Sequence, residues 1–542
     1  MDFEETNQMI KPFTRKQHYL ILLLLLVITI LPRLPFVGPF LYNGDPTAYF
    51  LGAQGILQTG QYLIDGHISF WPVGTSLTMV PFVWLAENVF QTAGEAGAFW
   101  HGVFFIYIAV AFTYLLGKRL FSPLVGILGA ILLSLAESPF WHSVNANSDT
   151  AALAILVMGI YFLLLFLDTQ TPRDLFAAFF LLALTVVFRW NYIFFMPLYL
   201  LYLVGDRRIW AFTLYPKFWI LSGVAFLAGL FPQFWVNTTQ TGNPFLIGYA
   251  QLGFSDQFSW NPLTWLVNGV RIVYRVIFTW DFYSPTLAAF SFLTIIHTMR
   301  QQRRDILMLF VPWVILGSLS VIYFGVKPRL LMPIMPPLFL LGAAGIEQLY
   351  GYLREVISRD SFPSRYLIPA YGLVILLLFT PMASRSLLMT YGNFQDKKVM
   401  QQAFRWTGEM ASLETTILTQ SIYAGQNNDW LRAGWKVWAS RYYADHELAS
   451  LSLPERWPDE TERWVVINRF WFEGENAMFE DTEAMSARFD SLRQVWKLRK
   501  VKEFQGNAEP VWLKKLNMLS FYPVDFMVYR PRFEVWTNAV NE

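Results

Sequence analysis

Asp45 stands in Gly44-Asp45-Pro46-Thr47-Ala48-Tyr49, inside a stretch from Leu34 to Gly117 that holds no Lys or Arg. A carboxylate is one of the side chains that can take the proton from an attacking hydroxyl. Three cations at the ends of apolar segments complement it: Arg189 in Phe188-Arg189-Trp190, and Lys327 and Arg329 in Lys327-Pro328-Arg329-Leu330. A guanidinium grips a phosphate through two N–H groups, and an ammonium acts on it as a point charge. A second acid, Asp149, opens another apolar segment just after His142, Asn145 and Asn147. Plainer readings stand beside these. Asp commonly caps a helix start, which would serve for Asp45 and for Asp149. Arg and Lys at the ends of spans commonly snorkel to the interface. His67 and His101 are single histidines that fit surface or packing roles, Asp65 fits a solvated loop, and Asp281 is a weaker alternative acid. His142 with the two acids shows no paired-ligand spacing, so no metal site is assigned, and a divalent metal is left open.

The elements that must position these residues are set by composition. Of 542 residues 55% are hydrophobic and 15% charged, with mean hydropathy +0.36. Many stretches are long enough to cross a hydrocarbon layer of roughly 30 Å, so the chain reads as a polytopic α-helical membrane protein. About eleven spans are expected, near 19–40, 97–117, 120–137, 149–168, 174–188, 190–205, 218–237, 280–299, 305–325, 330–349 and 365–383. Lys11, Arg15 and Lys16 precede the first span, and the later connections alternate between cation-rich and cation-poor. The positive-inside rule then puts the amino terminus in the cytoplasm and Asp45 outside. The apolar stretch 75–90 would break that alternation as a span, so it is expected to lie in the interface or to pack on the bundle. Cysteine is absent, which removes disulfides and thiolate chemistry. A net charge of +2 spread over alternating loops argues against nucleic acid as a partner.

Two outer loops are long, 42–96 and 238–279. In the first, Tyr49, Phe50, Ala53, Ile56 and Leu57 recur at helical spacing, predicting an amphipathic helix on the outer surface that stops at Thr59-Gly60, before a turn at Trp71-Pro72-Val73-Gly74. The second is rich in aromatics such as Trp260 and Trp265, which suit a membrane-belt position or the cover of a cavity. Asn237-Thr238-Thr239 fits a glycosylation acceptor pattern of low specificity. After about residue 390 polarity rises. Residues 1–390 are read as the membrane domain and 391–542 as a soluble α/β domain outside the membrane. Within it a helix is expected near 397–412 and another near 478–493, with strands at Thr415 to Thr419, Lys436 to Tyr443, Trp464 to Asn468 and Val495 to Phe504.

In this order and sidedness the motifs resemble the GT-C glycosyltransferases, specifically bacterial relatives of the dolichyl-phosphate-mannose protein mannosyltransferases and aminoarabinose transferases. The resemblance is carried by Arg33, Asp45-Pro46-Thr47-Ala48-Tyr49, Gly60-Gln61-Tyr62, Trp71-Pro72-Val73-Gly74, Asn147-Ser148-Asp149, Phe188-Arg189-Trp190, Phe231-Pro232-Gln233 with Asn237, Gly242-Asn243-Pro244 and Lys327-Pro328-Arg329. The family often has Asp-Glu where this chain has Asp45-Pro46, and a second Pro where it has Val73. The resemblance implies an inverting transfer of a sugar from a polyprenyl-phosphate donor to a hydroxyl of a glycolipid, polysaccharide or protein, on the outer face of the cytoplasmic membrane. It implies Asp45 as the base, Asp149 and Tyr49 at the acceptor side or as a second acidic site, and Arg189, Lys327 and Arg329 on the donor phosphate. No cofactor is implied. The competing class is a transporter or flippase of lipid-linked glycans. Against it, the chain shows no duplicated membrane half and no mid-span ionisable relay.

Overall fold

The computed structural model describes residues 13–38, 41, 44–64, 67–69, 71–205, 215–245, 261–278, 284–322, 328–359, 367–412, 414–420, 439–446, 448–451, 462–469, 482–507, 515 and 531–539. Helix α1 (Arg15–Ile30) starts at Thr14, whose side chain accepts from the Gln17 N–H, and runs into a 3-10 turn, Leu31–Phe36. Next come α2 (Asp45–Thr59), a two-stranded hairpin β1 (Leu63–Ile64) and β2 (His67–Ile68), and α3 (Val73–Asn88). The bundle continues with α4 (Gly94–Leu120), α5 (Pro123–Leu135), α6 (Glu137–Val144), α7 (Ser148–Thr169) and α8 (Pro172–Phe188). A 3-10 turn, Trp190–Phe195, leads to α9 (Met196–Gly205), followed by α10 (Pro216–Thr241), α11 (Pro262–Phe278), α12 (Pro285–Arg300) and α13 (Arg304–Ile322). Another 3-10 turn, Pro328–Ile334, opens α14 (Met335–Arg359), and α15 (Leu367–Met410) leaves the bundle.

Among the described residues, all eleven apolar segments expected from the sequence fall on helices or 3-10 turns. Among the described residues seven helices are long and apolar enough to cross a membrane, and α5 with α6, bent by 57°, makes an eighth. The other three, α8, α9 with its turn, and α12, span about 24–26 Å at 1.5 Å per residue, short of a hydrocarbon layer unless neighbours complete them. The protein is a polytopic helical membrane protein. Leu20, Leu23, Leu24 and Val27 of α1 are exposed, an apolar face of the kind that lipid covers. Small residues bring helices close. A Cβ at Gly102 of α4 would run into the Ser143 carbonyl of α6.

The stretch 75–90 forms α3, which packs on α2 and α4 and leaves Leu77, Trp84 and Leu85 exposed. In the connection 238–279, α11 exposes Leu263, Leu266, Val270, Val273 and Ile277 along one face, while Asn268 on the other donates to the Ile322 carbonyl at 2.8 Å. Trp260 lies outside the described residues.

Two local expectations are corrected, and a third, the helix near 397–412, is present as part of a longer one. Helix α2 is not a free surface helix, because Pro46 to Phe50, Gly52 and Ala53 are all buried, with Ala48, Tyr49, Phe50 and Ala53 in one apolar cluster with the carboxy-terminal domain and Gly52 against Tyr62 and Ser76. The helix expected near 397–412 is the last part of the 44-residue α15, which runs without a break through residue 390. Ala439–Ala444, expected as strand, is a short helix, α16. Its Tyr442 and Tyr443 have high β-propensity, but packing against Phe50 and Leu41 decides their conformation.

The carboxy-terminal domain is a five-stranded sheet in the order β4-β3-β5-β7-β6, built from β3 (Ile417–Thr419), β4 (Leu448–Ser450), β5 (Trp464–Asn468), β6 (Arg499–Gln505) and β7 (Arg532–Thr537). β3 runs parallel to β4 and β5, whereas β7 is antiparallel to both its neighbours. Helix α17 (Thr482–Val495) covers one face through Phe489, and the end of α15 covers the other through Phe404. One apolar cluster joins Phe404, Trp464, Phe533 and Val535 of this domain to Tyr49, Phe50, Ala53 and Trp71 of the connection 42–96.

Candidate functional site

Asp45 is the first residue of α2, and Gly44, at φ 89°, takes the position before it in a backbone geometry that favours glycine. No side chain caps this helix start. The Asp45 carboxylate is engaged elsewhere: Trp71 Nε1 donates to Oδ1 at 3.1 Å and Arg329 Nη1 donates to Oδ2 at 3.0 Å. The N-cap reading of Asp45 is thereby replaced by an ion pair between residues 284 positions apart. Burial pushes the Asp45 carboxyl up, but the Arg329 and Arg189 charges and the Trp71 hydrogen bond outweigh it and hold the group below its ordinary range.

The turn that supplies Trp71 is fastened from two sides. Tyr62 donates to the Pro72 carbonyl at 3.4 Å, and burial pushes its hydroxyl up to about 12, so it stays a donor. Val73 N–H donates to Gln233 Oε1 at 2.9 Å, and Gln233 in turn donates to Asn237 Oδ1 at 2.8 Å. The Gln233 and Asn237 motif on α10 thus acts on the site through the turn. Gly74 sits against the Val187 carbonyl with no space for a Cβ.

A second pair lies behind the first. Asp149, the second residue of α7, places Oδ1 2.8 Å from Arg189 Nε, with side chains 1% and 9% exposed. Asn147, not Asp149, precedes the helix, so the N-cap reading of Asp149 fails too. Arg189 terminates α8 in extended backbone and also donates from Nη1 to Ser148 Oγ at 3.3 Å. Tyr49 donates to the same oxygen at 3.0 Å, linking α2 to α7. Asp149 Oδ2 is buried without a hydrogen-bond partner among the described residues. The two pairs share one electrostatic environment, since Asp149 interacts with Arg189, Arg329 and Asp45, and His142 with all three charges Arg329, Arg189 and Asp45. His142 Nδ1 meets Asn147 Nδ2 at 2.8 Å.

Of the residues singled out from the sequence, Asp45, Tyr49, Asp149, Arg189 and Arg329 are brought together, His142 joins them, and Lys327 and Asp281 lie outside the described residues. His101 is buried away from these groups, with Nε2 at 2.9 Å from Thr78 Oγ1. Trp71 and Ser148 were legible only as parts of motifs; their roles as donor to Asp45 and as the shared oxygen of Tyr49 and Arg189 have no local signal. Among the described residues no group of three or more His, Asp or Glu side chains gathers as metal ligands do. Two acids and two guanidiniums make a formally neutral cluster that an anionic ligand can enter by displacing a carboxylate from an arginine.

The Asp149–Arg189 pair carries its own prediction. Asp149→Asn leaves the buried guanidinium without this counter-charge and is expected to destabilise the protein by about 3–5 kcal/mol. Adding Arg189→Met should recover most of that loss, because an apolar replacement of both partners leaves no lone charge. Thermal unfolding midpoints of the detergent-purified variants check it, and a double variant no more stable than the single one would count against the pair.

Residues 78–235 match the family described as dolichyl-phosphate-mannose-protein mannosyltransferase. That stretch contains the Asp149–Arg189 pair and Gln233, whereas Asp45 precedes it and Arg329 follows. No curated protein matches the sequence. Among solved structures, the archaeal oligosaccharyltransferase AglB from Archaeoglobus fulgidus, in complex with an inhibitory peptide and a dolichol-phosphate, superposes with a TM-score of 0.54 at 12% identity, over 84% of this chain and 70% of its own. ArnT from Cupriavidus metallidurans, bound to undecaprenyl phosphate, superposes with a TM-score of 0.51 at 11% identity, over 96% and 98%. The arabinofuranosyltransferase AftD from Mycobacteria gives 0.50 at 13% identity, over 98% of this chain and 40% of its own. At such identities these structures speak for the fold alone. The chain thus shares the fold of these membrane proteins, and over residues 78–235 it is similar to the dolichyl-phosphate-mannose-protein mannosyltransferase family.

Proposed function

We propose that this protein is an inverting glycosyltransferase. It takes a sugar from a polyprenyl-phosphate donor and passes it to a hydroxyl of a glycolipid, polysaccharide or protein at the outer face of the cytoplasmic membrane, with Asp45 as general base. The amino terminus lies in the cytoplasm and residues 391–542 lie outside. The observation that carries the reading is the Asp45 carboxylate, unused by its own helix and held between Trp71 and Arg329. The polyprenyl phosphates bound by ArnT and AglB support the donor class.

The chemistry is a single displacement. The acceptor oxygen bonds to the anomeric carbon as the bond from that carbon to the phosphate oxygen breaks, the electron pair leaves with the polyprenyl phosphate, and the hydroxyl proton passes to Asp45. Phosphate is a stable leaving group and requires no acid, so one carboxylate suffices where a glycosidase uses two. A carboxylate tied to arginine is a weak base at rest. Donor phosphate drawn to Arg329 and Arg189 neutralises the charges that depress Asp45, so its basicity rises as the donor binds.

The test is the purified protein in liposomes with radiolabelled polyprenyl-phosphate sugars and envelope acceptors. Label moved into product with inverted anomeric configuration supports the reading. No label moved from any donor, together with passage of a lipid-linked glycan between leaflets, would replace it with the transporter.

A further inference from the structure

The carboxy-terminal domain touches the candidate site at two separate points, each on a loop that carries an acid. At the first, Leu41, four residues before Asp45, donates its backbone N–H to Tyr443 Oη at 2.7 Å, with Leu41 3% exposed. The adjacent Tyr442 meets Phe50 edge-on at 6.2 Å and donates to Glu95 Oε1 at 3.5 Å. Helix α16 therefore grips the Asp45 segment on both sides of the acid.

At the second, Lys397 of α15, 3% exposed, donates from Nζ to Asn145 Oδ1 at 2.7 Å. Asn145 lies in the connection between α6 and α7 that ends at Asp149, and its own amide donates to the Trp141 carbonyl at 2.9 Å. The next residue, Ala146, has φ 52°, a left-handed backbone that a residue with a Cβ adopts only when its surroundings enforce it. Residues beside Lys397 bond to the sheet domain. Gln395 Oε1 accepts from the Asn507 N–H at 3.2 Å, and Asp396 Oδ1 accepts from Asn468 Nδ2 at 3.4 Å. Three consecutive side chains on one helix thus fasten the sheet to the connection before Asp149.

We propose that the carboxy-terminal domain is a positioning element of the site, with Tyr443 setting the approach to Asp45 and Lys397 holding the strained connection before Asp149. The proposal rests on the reading that these acids act on the substrate. A domain that only displayed a binding surface would need no contact with either loop, and the shared apolar cluster of Tyr49, Phe50 and Trp71 with Phe404, Trp464 and Phe533 has the same sense.

The experiment is amide hydrogen exchange, by mass spectrometry on the full-length protein in nanodiscs, for Tyr443→Phe and Lys397→Met beside steady-state transfer. Tyr443→Phe should speed exchange in residues 41–50 by about five-fold, the worth of one net hydrogen bond. Lys397→Met should do so in 145–149. Residues 151–164 of α7 should stay protected in both. Transfer should fall in kcat by roughly 10- to 100-fold, as ångström-scale misplacement of a reacting group does, with donor KM within about two-fold. Unchanged exchange at both loops overturns the proposal, as does a rise spread evenly over the molecule, which is loss of stability alone. Tyr442→Leu, which removes the ring contact with Phe50 and the hydrogen bond to Glu95 while leaving Tyr443 in place, gives a third reading should either variant fail to fold. Exchange does not depend on turnover, so normal transfer by Asp45→Asn would remove the base while the exchange data still decide whether the domain holds the loops.

Discussion

Asp45→Asn is expected to lower kcat for sugar transfer by roughly 10²–10⁴-fold, the range that a positioned base contributes. The amide keeps the shape of the carboxylate and an oxygen for the Trp71 indole, so the helix start and its contacts should survive. Donor affinity should be retained or improved, because Arg329 loses the carboxylate that competes with phosphate for its N–H groups. This combination separates two roles for Asp45. A residue that merely parked Arg329 would change donor affinity and leave kcat intact, whereas a base changes kcat. Equilibrium binding of a labelled polyprenyl-phosphate sugar and turnover under donor saturation supply the two numbers. Wild-type turnover in the variant would remove Asp45 from the chemistry and move attention to Asp149, whose buried Oδ2 has no hydrogen-bond partner among the described residues.

Arg329→Gln is expected to raise donor KM by about 10- to 100-fold, the worth of one or two charge-assisted hydrogen bonds. It should also move the acid limb of the pH–rate profile upward. The sign follows from Asp45: its folded-state pKa is depressed from the ordinary 3.8, against the effect of burial, and Arg329 is the largest of the causes that lower it. A depressed carboxylate stays charged until pH falls through its depressed value, so the Asp45–Arg329 pair is present at and above the ordinary value and is lost only below it. Without Arg329 that loss starts at higher pH. Arg329→Lys should preserve part of the charge effect on Asp45 while weakening donor binding, since an ammonium lacks the planar fork. An unmoved acid limb in Arg329→Gln, with transfer still measurable, would show that the limb belongs to another group.

The comparison of sequence with structure turns on range. Each apolar segment declares itself through its own length and composition, because the free energy of moving a side chain out of water is paid residue by residue. The stop of α2 at Gly60, φ 71°, is equally local, since few residues other than glycine end a helix in that backbone. Strand β5 at Trp464–Asn468 and helix α17 were legible for the same reason, whereas β7 and the helical turn at Tyr442-Tyr443 depend on what they pack against.

For the site, the sequence by itself determined which residues are present to act: Asp45 in a cation-free stretch, and Asp149, Arg189 and Arg329 at the ends of apolar segments. Only the tertiary structure decided who meets whom. It paired Asp45 with Arg329 and Asp149 with Arg189, buried α2 where amphipathic spacing had predicted a surface helix, and set Tyr443 and Lys397 against the loops of the two acids. An ion pair between residues 284 positions apart leaves no trace in the local pattern of either residue, because it forms only when helix packing closes the intervening chain.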